Sequence, residues 1–182
     1  MERTFLESAA DPQFAGRAIV VMGVSGAGKS AVAAALAAAR GGPCIDADDL
    51  HSEKAIDRMR RGTPLTDADR WPWLDRIGAS ITREAGEDQA VTVACSALRR
   101  TYRDRLRAAT AVPLWFVQLD VARAALLARL HLRVGHFMPA GLLDSQLDTL
   151  EPLAPDEPGT AIDAALPVDQ IVASVTARLL RE

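Results

Sequence analysis

Aromatic residues make up only 4% of this 182-residue chain, cysteine occurs twice and histidine three times, which excludes several chemistries before any motif is read. Cys44 and Cys95 lack the C-x-x-C spacing of a zinc ribbon or a dithiol redox centre, so both are expected to pack as small apolar groups in strands. His51, His131 and His136 are not arranged as H-E-x-x-H, and a protein-held zinc is not expected. The chain has no apolar run of the roughly eighteen residues needed to span a membrane. Residues 1–16 carry Glu2, Arg3, Glu7 and Asp11 without the apolar stretch of a secretory signal. A net charge of −3 gives no footprint for nucleic acid or an anionic membrane surface. A soluble, cytoplasmic protein is therefore expected. Lysine is scarce as well, with Lys29 and Lys54 the only two.

Against these absences stands one dense stretch. The β-branched run Ile19 to Val21 leads into Gly23-Val24-Ser25-Gly26-Ala27-Gly28-Lys29-Ser30, the pattern G-x-x-x-x-G-K-S of a phosphate-binding loop. Glycines let the backbone curl and aim its N–H groups at phosphate oxygens, and the following helix, Ser30 to Arg40, offers its positive end to the same oxygens. Lys29 is placed to reach the outer phosphates, and the Ser30 hydroxyl to join the shell of a Mg²⁺ ion. The loop residues Gly23, Val24, Ser25, Gly26, Ala27, Gly28, Lys29 and Ser30 are thus the expected nucleotide cradle. A glycine-rich turn with no ligand is the plainer alternative. The scarcity of lysine argues against it, because Lys29 stands where an arginine would serve any general charge.

The remaining pattern alternates strand and helix. Short apolar runs at Pro43 to Asp46, Ala90 to Cys95, Pro113 to Leu119 and Thr160 to Asp163 read as strands. Helices are expected over Glu53 to Arg61, around Leu74, Ile77 and Ile81, around Tyr102 and Leu106, over Val121 to Leu132, around Leu143 and Leu147, and over Asp169 to Leu180. Such alternation predicts an α/β domain with a parallel sheet of about five strands covered by helices on both faces. Thr63 to Leu74 reads as a proline-punctuated connector, with Trp71 and Trp73 as a packed corner. Residues 1–16 form an N-terminal extension, and 17–182 one domain.

Asp46-Ala47-Asp48-Asp49-Leu50-His51 puts acids at the carboxyl end of a strand, the edge where parallel sheets bind ligands, and alternation points Asp46 and Asp48 the same way if the strand runs through Asp48. Asp48 or Asp49 could instead cap the next helix. No aspartate follows the strand ending at Cys95, so Mg²⁺ would rest on Ser30, phosphates, water and Asp46. Arg129 and Arg133, one turn apart and running into Gly135-His136, suit a helical lid over 129–141. Solvated arginines on a helix end are the alternative.

Together the phosphate loop, Asp46-x-Asp48-Asp49-x-His51, the block from Gly62 to Leu74, Cys95-Ser96-Ala97-Leu98 with Tyr102-Arg103-Asp104, and Gly135 to Pro139 with Ser145-Gln146 resemble the gluconokinases, small P-loop kinases akin to shikimate kinase and the nucleoside monophosphate kinases. The resemblance implies the strand order 2-3-1-4-5 and transfer of a phosphoryl group from ATP, with Mg²⁺, to the 6-hydroxyl of D-gluconate. Enzymes of this family are often homodimers, although this sequence marks no interface. Lys29, Asp48, Arg129 and Arg133 are then the catalytic candidates, with Asp48 accepting the hydroxyl proton and Arg129 also binding nucleotide. Asp48, His51, Arg58, Arg70, Ser96, Arg133 and His136 are candidates for the substrate pocket, in a segment of about 47–86. Ser52, Ala55 and Arg58 stand where the family usually has proline, asparagine and lysine, so the pocket is expected to differ in detail from its relatives' pockets. The rival readings are a kinase of another small hydroxy acid or sugar, shikimate included, and a nucleotide-dependent switch; no N-K-x-D guanine signature supports the latter.

Overall fold

Strand β1 (Ala18–Met22) is apolar at every position and buried throughout. Side chains alternate between the faces of a strand; Ile19 and Val21 enter one hydrophobic cluster, while Ala18, Val20 and Met22 enter another. The computed structural model, which describes residues 17–85, 89–132 and 140–181, places β1 at the centre of a five-stranded parallel sheet. Its neighbours are β2 (Cys44–Asp46), β3 (Thr92–Ala94), β4 (Leu114–Asp120) and β5 (Gly159–Asp163), in the order β2-β3-β1-β4-β5. The expected order 2-3-1-4-5 is observed. Val20 faces Val93 on one side and Phe116 on the other, which fixes the central register.

Helices cover both faces. On the first lie α1 (Lys29–Arg40), α5 (Arg123–Leu132), α6 (Ala140–Thr149) and α7 (Val168–Leu179), which bury Leu36, Leu126, Leu143 and Val175. On the second lie α3 (Asp67–Glu84) and α4 (Arg100–Ala109), which bury Trp73, Ile77, Ile81 and Leu106. Each of these large side chains contributes about 1.5–3 kcal/mol by leaving water. The short helix α2 (Glu53–Arg60) follows β2. The chain order reverses on either side of β1, and the carboxyl ends of the strands at such a switch point are where parallel sheets bind ligands.

Two local expectations need correction. Helix α3 begins at Asp67, well before Leu74, and carries Pro72 inside it. Thr66 Oγ1 accepts from Asp69 N at 3.3 Å while Asp69 Oδ2 accepts from Thr66 N at 3.0 Å, a reciprocal cap that starts the helix early. Pro72 forfeits one bond in the second turn, and the helix continues past it. Cys44 is exposed, because β2 is the edge strand; only Cys95 is buried.

Helix α4 is rich in arginine, and one of them, Arg103, is wholly buried. Its Nε and Nη2 donate to Glu157 at 2.7 Å each, and Nη1 donates to the carbonyls of Ala97 and Leu98 at 3.2 and 3.4 Å. This pair ties the loop before β5 to the turn after β3. The Arg103 hydrogen bonds, against opposing burial, lower the Glu157 carboxyl from 4.5 to about 2. A depressed carboxyl adds stability above its unfolded value and loses it as pH falls from about 4.5 towards 2. Glu157→Gln leaves a buried guanidinium without its counter-charge and should cost about 3 kcal/mol near neutral pH. Urea unfolding should show a smaller difference from wild type at about pH 3; an equal difference at both would contradict the linkage.

Candidate active site

The phosphate loop joins β1 to α1 through three glycines at positive φ: Gly23 at 144°, Gly26 at 82° and Gly28 at 98°. A Cβ on Gly28 would meet nothing within 4 Å, so the backbone angle requires glycine there and the space before it is open. No side chain caps α1 and its first turn holds no acid, which leaves the helix end suited to an anion. Within the loop, Gly23 N donates to Ser96 O at 3.3 Å and Ala27 N to Val24 O at 3.2 Å. Ser25 N donates to Gln146 Oε1 of α6 at 2.7 Å, a partner that the loop pattern alone does not suggest. The N–H groups of Gly26, Gly28 and Ser30 make no hydrogen bond to another described residue. Lys29 Nζ folds back to donate to Val24 O at 3.1 Å.

The acids after β2 meet this loop. Asp46 Oδ2 accepts from Ser30 Oγ at 2.9 Å, and its Oδ1 accepts from Asp48 N at 3.1 Å. Alternate strand residues were expected to carry Asp46 and Asp48 side by side, but β2 ends at Asp46 and Ala47–Leu50 turns as a 3-10 helix. Asp46 caps that turn. Ser52 Oγ caps α2 by accepting from Ala55 N at 3.3 Å, which leaves neither Asp48 nor Asp49 a capping role and explains the serine at position 52. Lys29, Asp48 and Arg70 all lie close enough for their charges to act on the Cys95 thiol at the end of β3, which burial pushes up to about 12.

On the far side of that cluster, the ring of His51 stacks on Trp73 at 4.3 Å and 11°, while Trp73 Nε1 donates to Ala47 O at 2.7 Å. The tryptophan therefore holds both the turn and the histidine. Burial, with the nearby charges of Arg70 and Arg76, lowers His51 to about 4, so the ring is neutral at physiological pH. Its Nδ1 is buried and has no hydrogen-bond partner among the described residues. Arg70 lies over the Tyr102 ring at 5.2 Å and donates from Nε to Leu65 O at 3.4 Å. Arg58 is joined instead to Asp69 at 3.6 Å and to Pro64 O at 3.5 Å.

Ser96 sits in the turn after β3, beside Ala97, a non-glycine residue at φ 41°. Such a conformation is strained and persists when its surroundings impose it; here Arg103 grips the Ala97 carbonyl from behind. Tyr102 and Arg99, not among the expected site residues, both reach Asp67, with the Tyr102 hydroxyl donating at 2.5 Å and Arg99 Nη1 at 3.3 Å from a carboxylate oxygen. Only the aromatic block around them hinted at this.

Arg129 donates to Ala27 O at 3.3 Å and to Ala164 O at 2.6 Å, bridging the phosphate loop and the segment after β5. Arg133 and His136, with most of the expected lid, lie outside the described residues. Among the described residues no group of three or more His, Cys, Asp or Glu could hold a metal ion. No described helix is long and apolar enough to cross a membrane.

A family model described as an AAA domain matches residues 19–153. A probable gluconokinase of Xenopus tropicalis is 41% identical over 179 residues, covering 90% of this chain and 94% of that protein. A gluconokinase of Gluconobacter oxydans is 45% identical over 142 residues, covering 78% and 79%. Among solved structures, a gluconokinase from Sinorhizobium meliloti aligns with a TM-score of 0.81 at 48% identity, over 91% of this chain and 93% of that one.

Proposed function

Since the chain belongs to the gluconokinase family, we propose that it transfers the γ-phosphoryl group of ATP to the 6-hydroxyl of D-gluconate, giving 6-phospho-D-gluconate and ADP. The observation that carries this reading is the Ser30–Asp46 hydrogen bond of 2.9 Å, which joins the end of the phosphate loop to the acid-bearing turn after β2. One element suits the phosphates and the other a hydroxylated acid.

Lys29 places its charge against the outer phosphates, and the N–H groups of Gly26, Gly28 and Ser30 are the cradle. Asp48 orients the 6-hydroxyl and accepts its proton as the bond to phosphorus forms. The hydroxyl of Ser30 and the carboxylate of Asp46 are hard oxygen donors already in contact, and they fit a Mg²⁺ ion that keeps several waters. Bound there, that ion neutralises phosphate charge. Neutral His51 offers a ring nitrogen to a substrate hydroxyl, Ser96 adds a second hydroxyl partner, and Arg70 is the better placed of the two pocket arginines to clamp the carboxylate. Arg58 is partly engaged by Asp69.

We assign 17–182 to a single kinase domain, with the substrate segment at about 47–86 and Arg133 and His136 in a lid at about 129–141, and residues 1–16 to an extension. The working form is cytoplasmic, acts on a small molecule rather than nucleic acid or membrane, and could be a homodimer as in similar enzymes.

Arg129 is tied through both Nη atoms to backbone carbonyls, which favours holding the nucleotide over stabilising the transition state. Arg129→Ala should raise the KM for ATP roughly 10-fold with a smaller change in kcat. A fall in kcat at unchanged KM would return it to the catalytic group.

A coupled ADP-release assay over gluconate, shikimate, other aldonic acids and free sugars tests the proposal. ADP should appear with gluconate far faster than with any other acceptor. Preference for shikimate, or ADP release independent of every acceptor, would overturn it.

A further inference from the structure

The Val24–Ser25 peptide is held at both ends. Its carbonyl accepts from Lys29 Nζ at 3.1 Å, and its N–H donates to Gln146 Oε1 at 2.7 Å across 121 residues of sequence. That N–H lies at the tip of the phosphate loop, beyond the donors of Gly26, Gly28 and Ser30 that lead into α1. It would otherwise face phosphate, yet a neutral carboxamide takes it.

Helix α6, which carries Gln146, meets the phosphate loop through that bond and buries Leu143 on the face shared with α1. Just past its end, Glu151 N donates to Leu98 O at 2.8 Å and Glu151 Oε2 accepts from Arg100 N at 2.7 Å, so the segment that follows the helix is tied to the chain just after Ser96. Gln146 is therefore held to the phosphate loop directly, and its helix to the turn after β3 through Glu151. Arg129 bridges the opposite side, from Ala27 to Ala164. With the helix-end donors taking the phosphates nearer the nucleoside, the terminal phosphate would lie nearest Gln146.

With Oε1 committed to Ser25, the other end of the amide is Nε2, a two-proton donor that makes no hydrogen bond to another described residue. We propose that Gln146 is a further positioning residue of phosphoryl transfer: it fixes the Val24–Ser25 peptide through Oε1 and offers Nε2 to an oxygen of the transferring phosphoryl group. The amide thus converts a loop N–H into a donor one side chain further out, where charge spreads over the phosphoryl oxygens in the transition state. This rests on the kinase reading given above.

Two variants separate the two ends of the amide. Gln146→Met keeps the length and removes both polar atoms; Gln146→Glu keeps an acceptor for Ser25 N but replaces the donor with a negative charge. Melting curves, titrations with ADP and with a non-hydrolysable ATP analogue, and kcat with ATP and gluconate are measured for each. Gln146→Met should lower kcat roughly 10- to 100-fold and weaken the ATP analogue, with ADP affinity within about threefold of wild type. Gln146→Glu should fold as wild type and lose more kcat than the methionine variant, so it decides the matter if Gln146→Met fails to fold. Wild-type kcat in either variant, or equal weakening of ADP and the ATP analogue with kcat unchanged, overturns the proposal. If wild type makes no ADP with gluconate, the functional reading fails, while the contrast between the two nucleotides still tests whether Gln146 reads the terminal phosphate.

Discussion

Lys29→Met should reduce phosphoryl transfer roughly 10²- to 10³-fold, about 2.7–4 kcal/mol of barrier, while leaving the protein folded. The lysine contacts its own loop through Val24 O at 3.1 Å, a partly buried hydrogen bond. Losing such a bond costs about 1 kcal/mol, too little to unfold a domain of this size. Its charge, in contrast, is the cation of the phosphate loop, placed there to meet the outer phosphates. Methionine keeps the length and apolar stem but not the charge. Circular dichroism and steady-state kinetics check this together. A folded variant with more than about a tenth of wild-type kcat, a loss under about 1.4 kcal/mol, would remove Lys29 from the reaction.

Asp48→Asn should lower kcat roughly 10²- to 10⁴-fold with ATP affinity nearly unchanged. An alcohol is a poor nucleophile until its proton has somewhere to go, though a loose transition state makes its orientation matter as much as full deprotonation. Asparagine retains the shape and one acceptor oxygen but not the base. The structure makes the stability side of this test sharper, because Asp46 caps the turn at Ala47–Leu50 and Ser52 caps α2. Asp48→Asn should therefore melt as wild type does. Asp49→Asn, equally exposed and on the same turn, should change neither rate nor melting temperature appreciably. Asp46→Asn should weaken the dependence on Mg²⁺. If the large loss falls on Asp49 and not Asp48, the base has been misassigned.

How far the sequence carried these assignments depended on the range of the interactions involved. The phosphate loop and β1 were readable because local patterns determine them: an apolar run buried on both faces, then glycines at the turns. The order of the strands came through resemblance, since no periodicity says which strand lies beside which. The start of α3 was missed because Pro72 and the two tryptophans read as punctuation, whereas Thr66 and Asp69 had already nucleated the helix. Asp46 and Asp48 were paired for the wrong reason: the backbone turns after Asp46, and what joins the acids to the phosphate loop is the Ser30 hydrogen bond. The burial of Arg103 was illegible, because a charged residue defaults to solvent and its partner, Glu157, lies 54 residues on in a proline-rich loop. The contact of Gln146 with Ser25 spans more than half the chain and leaves no local trace.

The position of the new phosphate on the product tests the central claim most directly. After reaction of the enzyme with ATP and D-gluconate, phosphorus–proton correlation NMR of the product should show the phosphate coupled to the terminal methylene protons of the acid, with one ADP formed per molecule of product. Coupling to a ring-forming or secondary carbinol proton, or ADP accompanied only by free phosphate, would contradict transfer to the 6-hydroxyl and with it the role given to Asp48.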